Sequence, residues 1–201
     1  MSGRIMVVGL GPGDEGHVTP LVSDAVARST DVIGYIPYVE RIAPSSHLTW
    51  HPSDNRVEAE RAQHALELAE KGRQVLIVSS GDPGVFAMAS ALFEVFERDS
   101  ARWQEIAIEI LPGITAMLAA ASRAGAPLGH DFCCINLSNN LKPWSIIETR
   151  LRCAIEGDLA MAFYNPRSKS RPVEFEKTLR LLQDACQDDR PIIFARAVST
   201  P

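Results

Sequence analysis

Cysteine is scarce. The four residues, Cys133, Cys134, Cys153 and Cys186, include no CxxC spacing, and an adjacent pair such as Cys133-Cys134 rarely bridges. They read as reduced, mostly buried thiols. The five histidines form no HExxH or comparable ligand spacing, so no structural metal is expected. Long apolar runs are missing as well. None approaches the ~18 residues needed to span a bilayer. Met1–Leu10 runs straight into a strand-like segment with no signal-peptide pattern, so cytoplasmic residence is the expectation. The phosphate-cradling GxxxxGK[ST] occurs nowhere. Cations are in the minority, 20 against 25 acidic residues, for a net charge of −5. That balance argues against a nucleic-acid polyanion as the main partner, but not against a small polyanion held by a local basic cluster.

What remains is a globular composition in 201 residues, 46% hydrophobic and 22% charged, without repeats. Short apolar runs alternate with helical periodicities, which argues for an α/β fold. Strands are expected at Ile5–Val8, Asp31–Tyr35, Gln74–Ser79, Ile106–Leu111, Phe132–Leu137, Leu159–Tyr164 and Pro191–Phe194. Thr19-Pro20 supplies an N-cap and a first-turn proline for a helix to about Arg28. Further helices are expected over Ser53–Gly72, with Ala62, Ala65, Leu66 and Ala69 on one face, over Val85–Arg98 and over Thr115–Ala124. Pro143 opens another, with Trp144, Ile147, Leu151 and Ala154 inward; Phe175, Leu179, Leu182 and Cys186 line the last. The polar stretch Ser138–Lys142 reads as the boundary between an N-terminal domain, 1–138, and a second α/β domain, 143–201. Two strands around one helix make a thin core, so the second domain reads as C-terminally incomplete.

Four Gly/Pro-rich turns follow expected strands. Gly9-Leu10-Gly11-Pro12-Gly13-Asp14 resembles a dinucleotide fingerprint but fails it: Asp14 stands where GxGxxG needs glycine, and Pro12 removes a backbone donor. Ser79–Gly84 exposes backbone around Asp82, which can accept from an amine or hydroxyl. Pro112–Ala116 places Thr115 as an N-cap, and the helix start could also receive a carboxylate. Tyr164–Arg171 packs Arg167, Lys169 and Arg171 into five residues, a patch suited to several carboxylates or simply a solvated loop. Each turn alone is as easily a connector. All four at strand carboxyl ends favour a ligand cleft.

In order and spacing, GLGPGD (Gly9–Asp14), SSGDPGVFAMA (Ser79–Ala89), PGITA (Pro112–Ala116), GHDF (Gly129–Phe132) and YNPRS (Tyr164–Ser168) resemble the tetrapyrrole (precorrin) methylases. YNPRS with SSGDPGVFAMA is similar to the branch that methylates carbon 17 of precorrin-3B and contracts the ring. The resemblance covers residues 3–201. It implies two α/β domains with S-adenosylmethionine folded in a cleft between them, a tetrapyrrole substrate, S-adenosylhomocysteine as product and a homodimer. By motif it assigns the cofactor to Pro12, Gly81, Asp82, Val85, Phe86, Thr115, Ala116, Phe163, Tyr164 and Ala197. Arg167, Lys169 and Arg171 would meet the polycarboxylate, with Arg56 and Arg123 as further cations. Asp14 and His130 are candidates to move protons during contraction.

The chain departs from that pattern twice. Family chains run several tens of residues further, so an incomplete member is expected. The branch usually has Ser-Asp-Leu-Leu before Pro-Trp, where this chain has Ser138-Asn139-Asn140-Leu141, so position 139 carries no charge. Alternatives are methylation of another precorrin carbon, of a protein residue or of rRNA. A non-catalytic adenosyl-ligand-binding module is another, as is a nicotinamide dehydrogenase, which Asp14 disfavours.

Overall fold

The computed structural model describes residues 3–140, 142–168, 171–185 and 190–200. Lys169 and Cys186 lie outside them. The chain forms two compact units, Met1–Ala119 with Ala197–Pro201, and Ala120–Arg196.

The first unit is a parallel sheet of β1 (Arg4–Gly9), β2 (Asp31–Tyr35), β3 (Thr49–Ser53), β4 (Gln74–Ser79) and β5 (Ala107–Leu111). Their spatial order is β3-β2-β4-β1-β5. The central strands are apolar throughout because both sheet faces are covered. Ile5, Val7, Ile33, Val75 and Ile77 face one core; Met6, Val8, Val32, Leu76 and Val78 face the other. Helix α1 (Pro20–Arg28), capped by the Thr19 hydroxyl and opened by Pro20, and the short α2 (Ile36–Val39) pack on the second core. Helices α3 (Glu58–Glu70) and α4 (Met88–Arg98), with the turn α5 (Ser100–Trp103), pack on the first. The connections leaving β1 and β4, neighbours in the sheet, therefore depart to opposite faces. Such a reversal opens a crevice at the strands' carboxyl ends. Helix α6 (Ala116–Arg123) follows β5.

The second unit pairs β6 (Phe132–Asn136) with β7 (Ala160–Tyr164) in parallel, Phe132 opposite Ala160. Helices α7 (Trp144–Glu156) and α8 (Glu174–Ala185) cover this ribbon around Ile135, Leu137, Ile147, Leu151 and Leu181.

Five expectations are corrected. The strand at 132–137 pairs with β7, so the division precedes it instead of falling in Ser138–Lys142. β3, with sequence TWHPS, was not foreseen: it has no apolar alternation, and its Pro52 is tolerated because β3 is an edge strand. Residues 191–194 make no ladder and form no strand, since an apolar run becomes a strand only against a partner. The buried face of α8 is Glu174, Thr178, Leu181 and Leu182, rotated from the expected stripe to take in two polar residues. Finally, Cys153 is exposed, while Cys133 and Cys134 are half-buried with thiols pushed up by burial. Among the described residues no helix is long and apolar enough to cross a membrane.

Candidate functional site

Three of the four turns meet at the carboxyl edge of the first unit. Gly11 and Gly81 form a two-way bridge, Gly11 N–H donating to the Gly81 carbonyl at 3.2 Å and Gly81 N–H to the Gly11 carbonyl at 2.9 Å. Leu10 N–H adds a bond to the Ser79 carbonyl at 2.8 Å. The backbones then approach more closely than any side chain would allow. A Cβ on Gly9 would stand 2.9 Å from the Gly113 Cα, and one on Gly113 would stand 2.6 Å from the Gly9 carbonyl oxygen. Gly81 has room for a Cβ but holds φ +63°, where a side chain is strained.

Asp82 ties the second turn to the third. Its Oδ2 accepts from Gly113 N–H at 3.0 Å and its Oδ1 from Gly84 N–H at 2.8 Å. The carboxylate is thus a clip between turns as well as a possible acceptor for a ligand. Thr115 is buried just ahead of α6, with its carbonyl taking the Leu118 and Ala119 amides. Ala116 is exposed beside it.

Phe86 departs from ordinary geometry. It is 46% exposed and sits at φ +53°, an outlier for an aromatic residue. Strain of this kind concentrates at ligand clamps. Asp14 is exposed and caps a single 3-10 turn, its Oδ1 accepting from Gly16 N–H at 2.7 Å. Ala197 belongs to the first unit, in a turn whose carbonyl accepts from Thr200 N–H at 3.1 Å. That turn lies against the first loop: a Cβ on Gly13 would stand 2.7 Å from Thr200 Cγ2. Of the expected cofactor residues, Pro12, Gly81, Asp82, Val85, Phe86, Thr115, Ala116 and Ala197 all belong to this unit.

Phe163 and Tyr164 lie on β7, in the second unit, with Phe163 against the core. The turn after β7 folds back on itself. Ser168 and Arg171 exchange backbone bonds, and Arg171 Nη1 donates to the Asn165 carbonyl at 3.2 Å. Arg171 is only 8% exposed, an internal strut where a surface cation was expected. Arg167 is exposed, as are Arg56 and Arg123. His130 is exposed in the bend before β6.

Sequence reasoning missed several residues. Lys142 donates to the Ser138 carbonyl at 3.1 Å, and burial, with Arg150 and Arg171 nearby, pushes its ammonium below its usual range. Asn139 Nδ2 donates to the buried Glu174 Oε1 at 3.0 Å, which gives a physical reason for an uncharged residue at 139. Arg41 reaches under the first loop and bonds three of its carbonyls. Nothing local in the sequence announces these partners, which lie 28 to 35 residues away for Arg41 and Asn139.

The rim suits some ligands better than others. Around the fused turns stand neutral backbone, the carboxylates of Asp14 and Asp82, and the apolar Val85 and Phe86. The cation bonded to it, Arg41, is occupied by carbonyls. The two carboxylates disfavour a pyrophosphate and suit a compact cation beside an amino-acid group.

A family model described as Tetrapyrrole (Corrin/Porphyrin) Methylases matches residues 4–201. The whole chain is 47% identical to a precorrin-3B C(17)-methyltransferase of Sinorhizobium sp, spanning 79% of that protein. It superposes with a TM-score of 0.97 on the crystal structure of the methyltransferase CobJ, at 64% identity, covering all of this chain and 83% of the other. A uroporphyrin-III C-methyltransferase from Thermus thermophilus, solved with S-adenosyl homocysteine, matches 67% of this chain and 59% of its own at 25% identity and a TM-score of 0.53.

Proposed function

The chain belongs to the tetrapyrrole methylases, and from that premise we propose that it is an S-adenosylmethionine-dependent methyltransferase of the precorrin-3B C(17) type, acting in cobalamin biosynthesis. The observation that carries this reading is the fusion of the β1, β4 and β5 turns into one backbone-lined rim that carries the Asp14 and Asp82 carboxylates.

The residues present fit S-adenosylmethionine. Glycines leave the backbone bare where a methionine portion would lie, and Asp82, already fixed by two amides, offers its remaining lone pairs to an ammonium or a ribose hydroxyl. Val85, Phe86, Thr115 and Ala116 exclude water. Pro12 and Ala197 complete the set on the first unit; Phe163 and Tyr164 remain cofactor neighbours by motif. When bound, the cofactor supplies an electrophilic sulfonium methyl. Positioning then carries most of the rate, because no nucleophile or metal has to be activated.

The substrate is a precorrin-3B-type tetrapyrrole, whose carboxylates call for cations. Arg167, Lys142 and Arg123 are candidates from the second unit and Arg56 from the first; Arg171 serves by propping the loop that carries Arg167. Asp14 and His130 are the proposed proton carriers for ring contraction. A homodimer in the cytoplasm is part of the same proposal, and sedimentation would test the dimer.

The first experiment is calorimetric titration with S-adenosylhomocysteine, with NADH as control. Saturable one-site binding of the former alone is expected; a folded chain that binds neither, or binds NADH, overturns the reading. With a precorrin-3B turnover assay, Asp14→Asn and His130→Gln should each slow contraction. Unchanged contraction in both removes the assignment. Charge reversal at Arg167 should raise the substrate KM about tenfold or more, the worth of a charge-assisted bond.

A further inference from the structure

We propose that Arg41 is the positioning residue of the Gly9–Asp14 loop, setting the conformation in which that loop meets the methyl donor. The inference rests on the cofactor reading above and extends it to a side chain that the motifs do not include.

The guanidinium donates to three carbonyls of one loop. Nη1 bonds the Gly11 oxygen at 3.0 Å, and Nη2 bonds the Gly13 oxygen at 3.1 Å and also the Leu10 oxygen. No carboxylate among the described residues pairs with it, although the protein is acidic overall. A half-buried cation satisfied only by backbone oxygens holds the shape of that backbone, since moving any one carbonyl leaves it undersolvated.

Its own base is rigid. Val39 and Ile42, on either side, are 4% and 8% exposed and belong to the core that Leu10 also enters. Arg41 N–H donates to the Tyr38 carbonyl and Ile42 N–H to the Val39 carbonyl, closing a tight turn after α2. The fork is therefore presented by a fixed stem to a loop whose middle, Gly11-Pro12-Gly13, has no side chain that can hydrogen-bond to hold it.

The division of the loop's polar groups follows. The Leu10 and Gly11 amides go to the β4 turn, and the Leu10, Gly11 and Gly13 carbonyls go to Arg41. Pro12 has no N–H. Among the described residues, the Pro12 carbonyl and the Gly13 and Asp14 amides have no hydrogen-bond partner inside the protein. These are the groups left for a ligand, and Arg41 selects them by withdrawing the rest. A lysine cannot substitute: one ammonium on a flexible stem does not reproduce a planar fork reaching three oxygens.

The test uses this chain and its Arg41→Ala and Arg41→Lys forms. In S-adenosylhomocysteine titrations both variants should bind ~10- to 100-fold more weakly, the worth of one charge-assisted bond. Millimolar guanidinium, but not urea, should restore much of the affinity of Arg41→Ala; a residue that only supports the fold would show no such rescue. Hydrogen exchange should quicken at Leu10 and Gly11, whose amides bond the β4 turn, in both variants while the amides within β4 stay protected. Unchanged affinity, or failure of guanidinium to rescue a folded Arg41→Ala, overturns the proposal. If Arg41→Ala does not fold, Arg41→Lys decides by the same affinity and exchange readouts. If the unsubstituted chain itself binds no S-adenosylhomocysteine, the cofactor reading has failed. The exchange comparison then still decides the clamp, and unchanged exchange at Leu10 and Gly11 refutes it.

Discussion

Asp31 begins β2 with its carboxylate 2% exposed, yet it is fully engaged. Arg73 Nε bonds Oδ2 at 2.7 Å, the Thr30 hydroxyl bonds the same oxygen at 2.6 Å, and His51 Nε2 lies 2.9 Å from Oδ1. Burial pushes this acid up, but the bonds from Arg73, Thr30 and His51 outweigh it and hold it below the usual carboxylate range. A depressed folded value means the stabilisation is complete above about pH 4 and is lost as pH falls through the folded value. His64, whose Nε2 is 3.2 Å from His51 Nδ1, is also depressed, by desolvation and by its neighbour His51. The unfolded chain takes up that proton near pH 6.5, so its contribution declines from there downward. Urea titrations across pH should show Asp31→Asn losing roughly 1–3 kcal/mol at neutrality, with a flatter acid limb below pH 4. His64→Gln should flatten only the part that begins near pH 6.5 and runs downward from there. Identical pH profiles for all three chains would refute both assignments. In the second unit, Asn139→Asp would set a carboxylate against the buried Glu174. It should lower Tm at pH 7 and recover at pH 5, since two close carboxylates cannot both stay ionised.

Among the elements, the central strands were legible in the residues alone. Ile5–Val8 and Gln74–Ser79 are unbroken apolar runs because each is sandwiched between two cores. Helix α3 was legible too: Ala62, Ala65, Leu66 and Ala69 are all fully buried. β3 was not, because an edge strand needs no apolar pattern and its register comes from β2. The three fused turns show the same split. Their glycines are visible in the sequence, but that Gly9 and Gly113 touch is a product of strand order. Gly113→Ala should cost about 1–3 kcal/mol by overpacking backbone against backbone and should abolish S-adenosylhomocysteine binding. Thermal melts and calorimetry would check it, and unaltered binding would mean the turns do not need this contact.

At the scale of the whole molecule the two units differ in how much they bury. The first has five strands, the central three covered on both faces; the second has a two-stranded ribbon whose β7 is half-buried along its length. Two strands alone are marginal, so packing by α7 and α8 has to supply the stability. Near its end Ile192, Ile193 and Phe194 are 50%, 54% and 71% exposed, with Phe194 meeting Phe175 edge to face. Native-state hydrogen exchange should therefore find β1 and β4 the slowest elements, and β6 and β7 open well below the global unfolding free energy. Uniform protection across both units would contradict this. Ile193→Lys should reduce self-association in light scattering without lowering Tm, because that side chain is outside the core.

By itself, the sequence determined the α/β class, the positions of the buried strands, the glycine turns and the family. Each is written in local periodicity, or in short motifs whose chemistry needs particular residues side by side. Only the tertiary structure decided that β6 pairs with β7, that Arg171 points inward, that Glu174 takes Asn139 as its partner, and that Arg41 grips three carbonyls from about 30 residues away. Those contacts depend on which strands become neighbours. Long-range pairing is settled by the summed burial of whole faces, and no window of a few residues contains that information.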